Sequence, residues 1–171
     1  LKNSMDMFRL SEKDYPAIII QPICNSGAWG NTEITNKVKG LIDYYINNDM
    51  VDENKISLTG FSLGGSGAWL MGKSYPRLFS CIVPVSPYDS STATVYPDCP
   101  VWVMYSTADG SAGSALGIEK LLRDARKKVK LDKYEISHPA MMQKIFRSET
   151  TEVMVNWMIN RSRETNSSFQ F

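Results

Sequence analysis

Apolar positions along the chain follow two alternating rhythms. The runs Ala17-Ile18-Ile19-Ile20, Cys81-Ile82-Val83-Pro84-Val85 and Val101-Trp102-Val103-Met104-Tyr105 are apolar at almost every step. That is the pattern of strands buried on both faces. Two shorter segments, Lys55-Ile56-Ser57-Leu58-Thr59 and Lys133-Tyr134-Glu135-Ile136, complete five predicted strands. Between them, Ile34, Val38, Leu41, Ile42, Tyr45 and Ile46 recur at helical spacing, with Thr32 as the N-cap and Asn47-Asn48 as the stop. A second helix is predicted over Ala68 to Tyr75, closed by Pro76, and a third carries Leu116, Leu121, Leu122, Ala125 and Val129. The last helix starts near Ser148 and lines up Val153, Met154, Trp157 and Met158, with Glu149 and Glu152 at the positive end of its dipole. Strand and helix in alternation predict an α/β fold, a mostly parallel sheet with helices on both faces. The expected division is a short polar segment over 1–16, one domain over 17–163 and a frayed tail over 164–171.

Composition narrows the function classes. The 171 residues are 43% hydrophobic and 22% charged, with a formal net charge of +1. A near-neutral chain lacks the basic field that nucleic acid requires, so no nucleic-acid partner is expected. The densest basic stretch, Arg123 to Lys130, reads as the solvated side of a helix. No run approaches the roughly 18 apolar residues of a membrane span. No leader pattern is recognisable and the first residue is Leu1 rather than Met, so the compartment stays unassigned. Cys24, Cys81 and Cys99 are odd in number and far apart, which fits neither a disulfide framework nor a zinc site. With a single histidine, His138, a His-rich metal site is out of reach, and no metal or cofactor is expected.

The chemistry is concentrated in Thr59-Gly60-Phe61-Ser62-Leu63-Gly64-Gly65-Ser66-Gly67. Gly60, Ser62 and Gly64 form G-x-S-x-G, preceded by a strand and followed by a helix. That context is a nucleophile elbow, in which a serine stands on a sharp strand-to-helix turn with its hydroxyl exposed. Bulk two residues before or after the serine would strike neighbouring backbone, and Gly65 and Gly67 would let the helix approach the sheet. A serine hydroxyl needs an adjacent base. His138 is the one histidine and lies downstream, in the order serine, acid, histidine. Among Asp89, Asp98, Asp109, Asp124 and Asp132, Asp109 is preferred because it follows the C-terminal end of the Val101–Tyr105 strand, the edge where such sheets bind ligands. Asp89, after the third strand, is the backup. Ser62 would attack a carbonyl carbon, His138 would carry the proton, Asp109 would orient the imidazole, and the Leu63 backbone N–H would donate to the oxyanion. Trp29 is a candidate wall of the substrate pocket or a core aromatic.

The same elbow, with Ala68-Trp69 and then Tyr75-Pro76-Arg77-Leu78-Phe79-Ser80, resembles the dienelactone-hydrolase-like and polyhydroxybutyrate-depolymerase-like esterases of the α/β-hydrolase superfamily, a group that includes feruloyl and acetyl-xylan esterases. Ile20-Gln21-Pro22-Ile23-Cys24 is similar to that family's strand ending before the active-site rim. Pro100 to Val103 running into Asp109 is similar to its acid-bearing strand, and His138 to its histidine loop. The resemblance covers about Ile18 to Ile159. It implies a serine hydrolase acting through an acyl-enzyme on a carboxylic ester, either a small molecule or one linked to carbohydrate. These relatives begin with strands leading to a second oxyanion donor, and nothing before Ile18 matches them. The sheet is therefore expected to lack its N-terminal strands, and its exposed edge to pair with a second copy unless the chain is a fragment of a longer protein. Two other readings stay open: a peptidase of the same fold, and a non-catalytic binding module or truncated fragment.

Overall fold

The structure is a computed structural model that describes residues 17–25, 29–89 and 95–166. Four parallel strands form one sheet in the order β1 (Ser57–Phe61), β2 (Cys81–Val85), β3 (Val101–Ser106) and β4 (Val129–Tyr134). The register aligns Phe61 with Val85, Val85 with Met104, and Ser106 with Tyr134, so the C-terminal ends of all four strands finish together. Among the described residues, five α-helices connect or cover them: α1 (Thr32–Asn47), α2 (Leu63–Ser74), α3 (Ala112–Asp124), α4 (His138–Phe146) and α5 (Glu149–Ile159).

Side chains alternate across a strand, so β2 and β3 feed two separate cores. Ile82, Val101, Val103 and Tyr105 meet Ile42 of α1, Trp69 and Met71 of α2, and Ile118 and Leu122 of α3. Val83, Val85, Trp102 and Met104 point the other way, onto Met141, Ile145 and Phe146 of α4 and Met154 of α5. This gives the expected parallel sheet with helices on both faces, and it explains why β2, and β3 up to Ser106, are apolar at every step.

Several sequence expectations change. Ala17–Ile20 is not a strand: residues 17–25 join no ladder, and Ile18 is 47% exposed. An apolar run becomes a strand only where a neighbour accepts its hydrogen bonds, and among the described residues β1 is flanked by β2 alone. The second helix begins at Leu63 rather than Ala68, because glycines 64, 65 and 67 are taken into its first turns. The third ends at Asp124. Arg126, at φ 57°, turns the chain back, with its N–H on the Arg123 carbonyl, and Val129 enters β4 rather than a helix face. The fifth expected strand therefore runs from Val129 to Tyr134 instead of Lys133 to Ile136, and Lys130 lies over the Trp102 ring. A helix not anticipated, α4, starts at His138, helped by Pro139 in its first turn. In the expected tail, Asn166 donates to the Ser80 carbonyl at 2.8 Å and accepts from Lys128. The remainder of that tail, 167–171, and the segment 1–16 lie outside the described residues.

Candidate active site

The elbow forms where β1 meets α2. Ser62 caps α2 with φ 57° and ψ −117°, a conformation L-residues seldom adopt. Its N–H donates to the Val85 carbonyl at 2.9 Å, tying the turn to the end of β2. The glycines divide the work unequally. A Cβ on Gly60 would overlap the Gly64 carbonyl, and one on Gly65 would overlap the Val85 carbonyl oxygen, whereas one on Gly64 would meet open space. The second steric requirement thus falls on Gly65, not on the final glycine of the motif.

The three expected side chains come together across 76 residues of chain. Ser62 Oγ lies 2.9 Å from His138 Nε2, and His138 Nδ1 lies 2.9 Å from Asp109 Oδ2. A carboxylate only accepts, so the ring proton sits on Nδ1 and Nε2 is left to accept from the serine hydroxyl. His138 is the first residue of α4, and Asp109 stands in the loop between β3 and α3. Phe61 stacks on the imidazole with centroids 4.6 Å apart, and the Tyr88 ring meets it edge-on at 5.5 Å. The imidazole is thus packed against two aromatic rings.

Asp109 is nearly sealed, with its side chain 3% exposed. Burial pushes its carboxyl up, but hydrogen bonds from Ser111, His138 and Ser86 outweigh burial and hold it below the ordinary aspartate value. The other aspartates are engaged elsewhere. Asp98 pairs with Lys127, Asp124 with Lys120 and Asp132 with Lys130, and the backup Asp89 interacts with Lys73.

Leu63, first residue of α2, has no carbonyl within the helix a turn earlier for its N–H, and the residue is 71% exposed. Trp29 lies behind the elbow, and a Cβ on Gly67 would come within 2.6 Å of its Cβ. It also lines an open groove of about 330 Å³ with Ile23, Cys24, Ile34, Val38 and Leu41, and the walls of that groove include none of the three site side chains. Among the described residues, no group of three or more His, Cys, Asp or Glu side chains is placed to hold a metal ion. No helix among them is long and apolar enough to cross a membrane.

Sequence reasoning missed Phe61, Ser86, Tyr88 and Ser111. The spacing Asp109-Gly110-Ser111 carried a signal, the aspartate that bonds its own backbone two residues on. Ser86 carried none, because it meets Asp109 across 23 residues.

A parallel sheet, covered on both faces, with a serine elbow at the C-terminal edge of β1, defines an α/β-hydrolase. Residues 23–151 match the family model described as Phospholipase/Carboxylesterase, and the chain belongs to that family. Comparison with curated proteins gives no match. Among solved structures the fold is similar to a thermostable esterase, at 22% identity and TM-score 0.62, over 74% of this chain and 36% of that one. It is also similar to Pyrococcus horikoshii acylaminoacyl peptidase, at 12% identity and TM-score 0.60, over 79% and 28%. Arabidopsis thaliana SOBER1 matches at 17% identity and TM-score 0.57, over 75% and 64%. The chain thus spans about a third of the length of the first two and just under two thirds of the last.

Proposed function

We propose that the protein is a serine hydrolase that cleaves carboxylic esters, of small molecules or linked to carbohydrate, through Ser62, His138 and Asp109. The observation that carries this reading is the continuous relay from Ser62 Oγ to His138 to Asp109, each link 2.9 Å, built on a serine at φ 57°. Strain of that kind persists only where the surroundings enforce it, and it accumulates at active sites. Membership of the phospholipase/carboxylesterase family supports the ester as substrate.

In the reaction, Ser62 Oγ attacks the ester carbonyl carbon as its proton passes to His138 Nε2. The carbonyl oxygen becomes an oxyanion, to which the Leu63 N–H donates. The imidazolium, held by Asp109, returns the proton to the departing alkoxide as the carbon–oxygen bond breaks. Water then attacks the acyl-enzyme by the same route, releasing the acid and restoring Ser62. Leu63, next to Ser62, and Tyr88, against His138, are exposed residues beside this centre. Trp29 contributes by backing α2 at Gly67.

Fluorophosphonate labelling tests the reading. An adduct on Ser62 in the wild type, absent from Ser62→Ala and His138→Ala, is expected, with turnover of short-chain, acetyl-sugar or aromatic esters. Folded wild-type protein that takes no label would overturn it in favour of a binding module. Amide cleavage at a rate matching ester cleavage would favour the peptidase, whose neighbour here is the acylaminoacyl peptidase.

A further inference from the structure

We propose that Ser86 and Ser111 are positioning residues for the acid of this site, together occupying the Asp109 lone pairs that His138 leaves unused. The proposal rests on the hydrolase reading above. An ionised carboxylate offers about four acceptor positions, and all four are taken. Oδ1 accepts the Ser111 N–H at 2.7 Å and the Ser111 hydroxyl; Oδ2 accepts His138 Nδ1–H at 2.9 Å and the Ser86 hydroxyl at 3.2 Å. Both serines are fully buried, so water does not compete for these bonds.

Neither serine is explained by its own local structure. Ser111 is the N-cap of α3, a position where a serine hydroxyl normally bonds the helix's own first-turn N–H groups. Here it makes no such bond and is turned onto Asp109 instead. Ser86 follows β2 at φ 45°, where glycine would sit without strain. Its N–H is fixed on the Met104 carbonyl at 2.8 Å, and its hydroxyl reaches Asp109. A diverted cap and a strained backbone converge on one carboxylate, the pattern expected where local stability is given up for function. The consequence is orientation: with both oxygens pinned, the carboxylate has one way to face Nδ1, and Nε2 then faces Ser62. The titratable groups facing Asp109 are His138, from the start of α4, and Tyr88, whose hydroxyl lies 3.4 Å from His138 Nδ1. Burial first, then the Asp109 charge, raises the Tyr88 phenol, so it stays neutral beside the pair.

The experiment uses the full chain as wild type, Ser86→Gly, Ser111→Ala and Ser62→Ala. Readouts are kcat and KM on a short-chain nitrophenyl ester, the rate–pH profile, the melting temperature, and the Nδ1–H proton resonance of the single histidine. Ser86→Gly relieves the strained φ, so it should melt at or above the wild-type temperature. Its kcat should nonetheless fall about ten- to a hundredfold, the usual loss for a hydrogen bond to a charge, with KM little changed. The acid limb should move to higher pH, because a carboxylate with one donor fewer directs more of its charge at the proton-accepting imidazole it faces. Ser111→Ala should act in the same direction, and both variants should weaken or shift the Nδ1–H resonance. Wild-type kcat, acid limb and resonance in both variants, with Ser62→Ala inactive, would overturn the positioning role and leave the hydrolase reading standing. A wild type that neither turns over nor takes fluorophosphonate overturns the hydrolase reading. The Nδ1–H resonance then decides the positioning alone, because it needs no turnover.

Discussion

Replacing each of two adjacent glycines by alanine separates helix propensity from steric fit at the elbow. In Gly64→Ala the new methyl enters open space. Alanine improves helix propensity by up to about 1 kcal/mol, less in a first turn. Gly65→Ala has the same propensity gain, but its methyl overlaps the Val85 carbonyl oxygen, with the Val85 carbon at 3.2 Å and the Gly60 carbonyl oxygen at 3.1 Å. Both obstacles are backbone within the β1–β2 ladder, so neither rotates away. Overpacking of this kind costs about 1–3 kcal/mol. The crowded Val85 oxygen also accepts the Ser62 N–H at 2.9 Å. Lifting α2 off the sheet stretches that bond, worth about 1 kcal/mol. Setting about 1 kcal/mol of propensity against these losses leaves Gly65→Ala less stable by about 1–3 kcal/mol. In a domain of this size that lowers Tm by roughly 2–12 °C. Ser62 moves with the helix, and a displacement near 1 Å reduces the rate by about 10². Gly64→Ala should stay within about 0.5 kcal/mol of wild type and keep its labelling rate. Thermal melts and fluorophosphonate labelling rates of the two variants make the comparison. A Gly65→Ala protein that melts and labels like wild type, or a Gly64→Ala protein equally damaged, would refute the steric assignment.

Three further outcomes are expected. Asp109→Asn offers Nδ1 an amide in place of a pure acceptor and favours the wrong tautomer, so kcat should fall by about 10⁴, with the acyl-enzyme still formed only at Ser62; a loss below tenfold would argue that another group supplies the acid. Because Asp109 is held below its unfolded value of about 3.9, its contribution to stability is complete above that pH and fades as pH falls through the lower folded value. The side-chain carboxyl resonance of Asp109 in the wild type should therefore titrate only below about pH 4; a midpoint at higher pH would contradict the depressed value. Burial pushes the Cys81 thiol up to about 12 and Cys99 well above its usual range, while Cys24 is only half-buried and none of the three is in a disulfide. An aromatic disulfide reagent should thus modify Cys24 in the native protein and the other two only on unfolding, and fast native modification of all three would overturn that burial.

Two strands and the elbow were readable from the sequence because their signals are local. The apolar run Cys81–Val85 is the observed strand, and Val101–Tyr105 falls one residue short of it. A residue buried on both faces must be apolar whatever its partner. The elbow was legible because a close backbone approach admits only glycine, and chain order with strand position then singled out Asp109 and His138. Tertiary structure decided the rest. Ala17–Ile20 carries the same β-branched pattern as a buried strand yet forms none, since a ladder needs a neighbour that the pattern does not reveal. The boundary between α3 and β4 depends on Arg126 adopting positive φ, which its side chain does not announce. That Gly65 rather than Gly64 bears the steric demand follows from where the Val85 carbonyl ends up. The serines around Asp109 are invisible to any local pattern in the case of Ser86, because the hydroxyl and the carboxylate meet only when β2 and β3 are laid side by side. Periodicity and steric necessity are properties of neighbours in sequence; hydrogen-bond partners across a sheet are properties of the folded chain alone.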